Sequence, residues 1–300
     1  MTQLTPIAIF AYNRPAHLAE TIEQLLSCDM ASESTVYIFS DGPKNTTDET
    51  KVQQVRDYVK KVTGFKFVNL IERHVNLGLA KSIVSGVNTV FKEHSRIIVL
   101  EDDMLVGKHF LIYANTALEL FENDSDVWVI SGYAYNLPIK RKQAYFLPTS
   151  SNQAWASWKD RWEKIDFQNP DLSGIEKKIS RWKFNELGAI DYSDRLTDTV
   201  QSKKSNSWAI ILKWYLFKNR GLTLFPSKNL VRNIGWDGSG TNCKTENPYE
   251  EYTSEINYHE CNYPKRIRYR RIDYLSLILF HYIQRIKSAY RNRFKSDRRS

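Results

Sequence analysis

Apolar runs and amphipathic stretches alternate along the first 131 residues, and the alternation predicts strands and helices in turn. Pro6-Ile7-Ala8-Ile9-Phe10-Ala11-Tyr12 has no polar interruption, as a strand covered on both faces requires. Asn13-Arg14-Pro15 then turns into a helix with Leu18, Ile22, Leu25 and Leu26 at helical spacing and proline in its first turn. Residues 35–40 form a second apolar run ending at Asp41-Gly42-Pro43, followed by a helix with Val52, Val55, Val59 and Val62 on one face. Residues 65–71 predict a third strand, and 78–93 a helix burying Ile83, Val84, Val87 and Phe91. The run Arg96-Ile97-Ile98-Val99-Leu100 ends in three consecutive carboxylates, Glu101-Asp102-Asp103. A helix over 108–121 and a strand over 126–131 complete the series. Strands alternating with amphipathic helices predict a doubly wound α/β sheet with right-handed crossovers.

Beyond about residue 135 the alternation fades and tryptophans cluster at 155, 158, 162, 182, 208 and 214. This reads as a second half packed on the same sheet, with a helix over 207–218 and a short strand over 222–225 stopped by Pro226. From residue 263 the chain is basic, then apolar over 274–283, then basic again. About ten apolar positions fall short of the roughly 20 that span a bilayer. Two readings stay open for this tail: an interfacial amphipathic helix drawn to anionic lipid, or a terminal helix docked on the body. The division expected is therefore 1–135, 136–262 and 263–300.

Charge sharpens that division. Residues 264–300 carry a net charge of +10, whereas the other 263 carry −1. Proteins that wrap nucleic acid spread positive charge over a folded face, so no nucleic-acid partner is expected. Cys28, Cys243 and Cys261 are widely spaced and odd in number, which argues against a disulfide framework or a zinc site and for a reducing cytoplasm. The first apolar run is too brief for a signal peptide and lacks a basic flank, so no export is expected.

In an open α/β sheet, ligands bind at the C-terminal ends of the strands. Those ends carry Ala11, Tyr12, Asn13 and Arg14, then Asp41-Gly42, then Glu101, Asp102 and Asp103. Clustered carboxylates repel unless a cation offsets them, and oxygen ligands suit Mg²⁺ or Mn²⁺, which keep part of their shell for substrate phosphates. A guanidinium at 14 can neutralise a diphosphate, a carboxylate at 41 can accept from a base N–H, and Lys81 offers a further phosphate contact. The chain has no Walker glycine pattern and no GxGxxG after its first strand, which argues against P-loop phosphoryl transfer and dinucleotide redox chemistry.

Taken together, residues 6–15, Ser40-Asp41-Gly42, Asn76-Leu77-Gly78-Leu79-Ala80 and Val99-Leu100-Glu101-Asp102-Asp103 resemble, in order, the motifs of GT-A glycosyltransferases. The Glu-Asp-Asp form resembles the N-acetylglucosaminyltransferase I family over roughly residues 5–135. The resemblance implies a Rossmann-like GT-A fold, a mixed and mainly parallel sheet flanked by helices, with the basic amphipathic tail as an extension. It implies a nucleotide-sugar donor, UDP-sugar favoured, and Mn²⁺ or Mg²⁺ on the diphosphate. Asp103 is implied as the direct metal ligand, Asp102 and Glu101 as supporting the metal or ribose, Asp41 as lying at the base, and Arg14 as meeting the donor phosphate. The acceptor expected is a saccharide or lipid-linked hydroxyl, the course inverting, and the setting the cytoplasmic membrane face in surface-polysaccharide synthesis.

The resemblance lapses at the catalytic base. Where the family has a Trp-Asp-Asp-Trp-like run, Asn206-Ser207-Trp208 offers no acid. Asp237, in Gly235-Trp236-Asp237-Gly238, is the first substitute, and Asp160 and Glu163 come second; the plainer reading of both is a salt-bridged helix face, with Asp160 and Lys164 as an i,i+4 pair. His259 is a candidate late metal ligand. The missing base leaves an alternative, a non-catalytic carbohydrate- or nucleotide-binding protein on a GT-A scaffold.

Overall fold

Every apolar run of the first half becomes a strand of one sheet. The computed structural model describes residues 4–139, 141–238 and 262–297, with side chains in the last helix described to residue 287. The strands among them are β1 (Ile7–Ala11), β2 (Thr35–Ser40), β3 (Phe67–Glu72), β4 (Arg96–Glu101), β5 (Met104–Val106), β6 (Val127–Ser131), β7 (Tyr145–Leu147), β8 (Trp155–Trp158), β9 (Leu222–Phe225) and β10 (Val231–Asn233). The helices are α1 (Pro15–Leu26), α2 (Thr46–Val59), α3 (Leu79–Val90), α4 (Phe110–Leu120), α5 (Lys159–Trp162), α6 (Lys178–Phe184), α7 (Tyr192–Val200), α8 (Trp208–Lys218) and α9 (Arg271–Asp297).

Eight strands pair in the order β3-β2-β1-β4-β8-β6-β9-β7, with β5 and β10 forming a separate antiparallel ribbon. β1 to β4 are parallel, as is the pair β6 and β9. β8 is inserted antiparallel between β4 and β6, and β7 runs antiparallel on the outer edge. The sheet is thus mixed and mainly parallel, with both halves of the chain in it.

Strand alternation divides the core between the two faces. Ile98 and Leu100 of β4 join α1 and α4, while Ile97 and Val99 join α3, α8 and a cluster of Trp155, Trp162 and Trp208. Each such fully buried aliphatic contributes about 1.5–3 kcal/mol. Trp155 stacks on Trp162 with ring centroids 5.6 Å apart, so these tryptophans are core. Trp182 differs, being exposed.

One tail reading is visible directly. α9 buries Leu277 and Phe280 against Leu137, Tyr145, Leu147 and Phe225, and its Asp273 pairs with Arg141. The opposite face leaves Leu275, Leu279 and Ile286 exposed at 53%, 50% and 69%. No helix among the described residues is long and apolar enough to cross a membrane.

Candidate functional site

Three parallel strands deliver the charged groups to one crevice. β1 ends into Tyr12, Asn13 and Arg14, β2 into Asp41, and β4 into Glu101, Asp102 and Asp103. Arg14 lies between two of the acids: its guanidinium pairs with Asp102 Oδ1 and lies 3.0 Å from Asp103 Oδ2. Asp102 also accepts from the Tyr12 N–H at 3.3 Å, and its backbone carbonyl accepts from Thr21 Oγ1 at 2.9 Å. Strand alternation turns Glu101 toward the α3 face and Asp102 toward α1.

The electrostatics leave the cluster short of positive charge. Burial, then the charges of Asp103 and Asp102, push Glu101 up to about 8. Burial pushes Asp102 up to about 6, although Arg14 pulls the other way. For Arg14 itself burial works against the charge, but the two carboxylates outweigh it and raise its pKa. One guanidinium faces three acids, and Asp103 Oδ1 is buried without a hydrogen-bond partner. A buried, unmatched carboxylate oxygen fits a divalent cation.

Among the described residues no group of three or more His, Cys, Asp or Glu is arranged to hold a metal ion. The fit is therefore to the Mg²⁺ and Mn²⁺ pattern, in which one or two carboxylates hold the ion and substrate phosphates supply the rest. Asp103, with Asp102 beside it, would be the protein's share.

Asp41 performs a task that its sequence context only hinted at. It is buried, and its two oxygens accept from the backbone N–H groups of Gly42, Leu77 and Gly78 at 3.0–3.1 Å. Asn76 Nδ2 adds a bond to the Gly42 carbonyl at 2.9 Å. Asp41 thus shapes the loop that opens α3, whose first turn carries the exposed Lys81. Ala11 closes the same corner, its carbonyl accepting from the Asp41 N–H at 2.9 Å. Tyr12 and Asn13 are held by Asp48 at 2.7 and 2.6 Å, an anchor from α2 that no sequence motif announced. Burial and the Asp48 hydrogen bond push the Tyr12 hydroxyl up to about 12.

The second-half candidates separate. The β5–β10 ribbon brings residues 233–238 over the acids, and the Ile234 N–H donates to the Asp103 carbonyl at 2.9 Å. Asp237 Oδ2 lies 3.1 Å from His17 Nε2, three residues beyond Arg14. The structure thus brings Asp237 to the rim of the crevice. It does not bring Asp160 there. β8 runs antiparallel to β4, with Trp158 opposite Arg96, so Asp160 follows at the far edge of the sheet. Five residue steps along β4 make that separation roughly 16 Å or more. Asp160 pairs with Arg161 at 2.6 Å, not with Lys164, while the i,i+4 pair in this turn is Lys159 with Glu163. The 206–208 run leads into core, Trp208 packing on Trp155 at 5.3 Å. His259 lies outside the described residues.

Gly235 is the residue that sequence reasoning passed over. A Cβ built there would stand 2.1 Å from Asp103 Oδ2 and 2.9 Å from Arg14 Nη1. Only a glycine lets the loop lie against the carboxylate. Gly235→Ala is therefore expected to displace either the loop or Asp103 and to lower turnover roughly 10- to 100-fold, with an increased metal requirement. Steady-state rates across a metal titration check this, and an unchanged metal dependence would show that the contact is incidental.

The whole constellation lies within the first half of the chain, apart from the loop at 233–238. Residues 1–144 match the model of the GNT-I family. The match spans just under half of the chain, takes in all four motifs, and makes the N-terminal half similar to nucleotide-sugar glycosyltransferases of that family. The mixed, mainly parallel sheet flanked by helices is the GT-A arrangement that the motifs imply.

Solved structures show similarity at low identity. One is a mannosyltransferase from Pyrobaculum calidifontis, PcManGT, in complex with GDP-Man and Mn²⁺ (10% identity, 72% of this chain, 69% of that chain, TM-score 0.38). A second is S. aureus TarS 1-349 (12% identity, 76% of this chain, 60% of that chain, TM-score 0.41). A third is S. aureus TarS (13% identity, 54% of this chain, TM-score 0.36), of which the match spans only 30%. Likeness at this level carries no detail of substrate or mechanism.

Proposed function

We propose that this chain is a metal-dependent, inverting glycosyltransferase that moves a sugar from a nucleotide-diphosphate-sugar, with UDP favoured, to a saccharide or lipid-linked acceptor hydroxyl. The observation that carries the reading is the buried, unpartnered Asp103 Oδ1 beside Arg14 at the strand ends of a GNT-I-like half. A divalent cation held there, Mn²⁺ or Mg²⁺, would neutralise the diphosphate leaving group. Arg14 and the first turn of α3 with Lys81 supply the protein's own positive charge to the same group. The four-motif half, residues 1–135, then binds the donor, and residues 136–262 bind the acceptor.

Asp237 is the proton acceptor in this reading. It is half exposed, on a glycine-flanked loop at the rim of the crevice, with His17 against its carboxylate. As the bond from the sugar to the nucleotide phosphate breaks, the acceptor oxygen attacks from the opposite side and its proton passes to Asp237. The exposed apolar stripe of α9, next to the basic segment, supports a working position against the cytoplasmic face of a membrane in surface-polysaccharide synthesis.

A panel of UDP-, GDP-, CMP- and dTDP-sugars, scored for Mn²⁺-dependent nucleotide release with candidate acceptors, tests the reading. One donor is expected to react, and Asp237→Asn is expected to cut its transfer about 100-fold or more with donor affinity retained. Donor binding without release in any arm favours the non-catalytic scaffold instead. Absence of binding to every donor sinks both.

A further inference from the structure

The outer edge of the sheet holds a second charged feature, remote from the acids. A cavity of about 940 Å³ lies between residues 141–146, which lead into and form β7, and the segment 262–273. Six cations line it: Arg141, Lys142, Lys265, Arg266, Arg268 and Arg270. Asp273 is the only acid in the lining among the described residues, and Arg141 already pairs with it.

Two observations point to an anion rather than to a solvated basic face. The Arg141 side chain is only 9% exposed, yet its Nε is buried without a hydrogen-bond partner. Burial, followed by the like charge of Arg270, lowers the Arg141 pKa, so the two guanidiniums stand close enough to oppose each other. A multivalent oxyanion would satisfy the orphaned N–H and offset the repulsion; phosphate fits guanidinium forks best. The cavity is not the donor site. From β4 to β7 there are four strand spacings, which separate it from Asp103 by about 19 Å.

The chemistry of the neighbouring surface selects the source of the phosphate. α9 starts at the cavity wall with Asp273, and its outward face carries Ile272, Leu275, Leu279, Ile283 and Ile286 at helical spacing, all exposed. A basic pocket opening beside an apolar stripe suits a molecule with a phosphate head and a hydrocarbon chain. We propose that this cavity binds the phosphate or diphosphate of a membrane lipid, the anionic end of a lipid-linked acceptor, while the α9 stripe lies in the bilayer surface. The acceptor role rests on the transferase reading given above; the phosphate site does not.

The test uses the full chain in EDTA, which silences the donor site, and flotation with vesicles of phosphatidylcholine alone or with 20% phosphatidic acid or phosphatidylglycerol. Binding to phosphatidic acid, competed by inorganic pyrophosphate, is expected. Arg266→Glu with Arg268→Glu is expected to weaken it at least tenfold, as is Leu275→Glu with Leu279→Glu. These positions are exposed, so neither pair strands a buried partner, as Arg141→Gln would strand Asp273. Equal binding to phosphatidylglycerol would reduce the effect to net charge and overturn the phosphate site. Pyrophosphate held as tightly as the lipid would reassign the cavity to a free anion. Residues 239–261 carry five Glu against one Lys. Lipid binding that emerges only after Glu250→Gln, Glu251→Gln and Glu255→Gln would make that segment the occupant, again overturning the proposal. Donor binding with Mn²⁺ is measured on the same preparation: loss of donor binding alone sinks the transferase reading and leaves the cavity standing.

Discussion

Asp103→Asn is expected to abolish metal-dependent transfer while leaving the fold as stable as before or slightly more so. The side chain is buried, accepts Arg14 on Oδ2, and leaves Oδ1 without a partner. In the absence of metal that oxygen destabilises the fold, because a buried acceptor without a hydrogen bond costs about 1–3 kcal/mol. An amide keeps the volume and still accepts from Arg14, and it removes a negative charge from the three-acid cluster. It cannot replace a carboxylate as a hard anionic ligand. Loss of the cation removes several kcal/mol of leaving-group stabilisation, and about 4 kcal/mol corresponds to a rate loss of about 10³. The pair of measurements is nucleotide release against Mn²⁺ concentration and the unfolding midpoint in EDTA. Turnover within threefold of the native rate would remove Asp103 from the metal's shell; a midpoint several degrees lower would make it a structural residue. Asp102→Asn does not serve as a substitute, since Asp102 holds both the Arg14 guanidinium and the Tyr12 N–H.

How much of this was legible beforehand depended on the range of the interactions. β1, β2 and β4 were readable because a strand buried on both faces has no polar position, and the residue just beyond such a run must lie at the ligand-binding edge. Arg14, Asp41 and the Glu-Asp-Asp triplet therefore declared their neighbourhood through local pattern alone. Gly235 did not, because its meaning lies in a contact with Asp103 more than a hundred residues away, made through a ribbon of three-residue strands. Strands that short carry no periodicity. Asp160 shows the opposite error. It stood as the second substitute for the missing base, but the direction of β8 decides which end of the sheet it occupies, and an antiparallel insertion into a parallel series leaves no mark in a four-residue run. The tail was ambiguous for a third reason. Composition registers apolar content, whereas α9 divides that content between a docked face and an exposed one.

Glu186→Gln should destabilise the protein by about 3 kcal/mol at neutral pH, the largest stability effect expected outside the hydrophobic core. Glu186 is buried at the centre of a small ionic network that joins four parts of the second half. Its Oε1 accepts from Lys213 Nζ of α8 at 2.8 Å and from Thr149 Oγ1 at 2.7 Å, and His281 Nδ1 of α9 lies 2.6 Å from Oε2. Lys213 Nζ also stands 4.0 Å from the centre of the Tyr192 ring of α7. Glu186 and Leu187 occupy φ of 49° and 57°, left-handed positions that side chains seldom adopt, so the network also holds a turn that would otherwise relax. Burial alone would raise the Glu186 pKa. The Lys213 charge and the His281 contact overcome it and hold the carboxyl at about 2. A folded-state pKa below the ordinary 4.5 stabilises the native state above that value, and the contribution is lost as pH falls from about 4.5 toward 2. A shift of that size amounts to about 3 kcal/mol. Glutamine leaves Lys213 buried opposite a neutral group, which the double variant Glu186→Gln with Lys213→Met relieves. Thermal unfolding at pH 7 should therefore drop by roughly 5–10 °C in the single variant and recover in the double. The native chain should lose stability between pH 4.5 and 2 more steeply than Glu186→Gln does. Parallel acid profiles for the two would show instead that Glu186 gains nothing from its partners, and that α9 is held to the body by its other contacts, Leu277 and Phe280 in the core and Asp273 on Arg141.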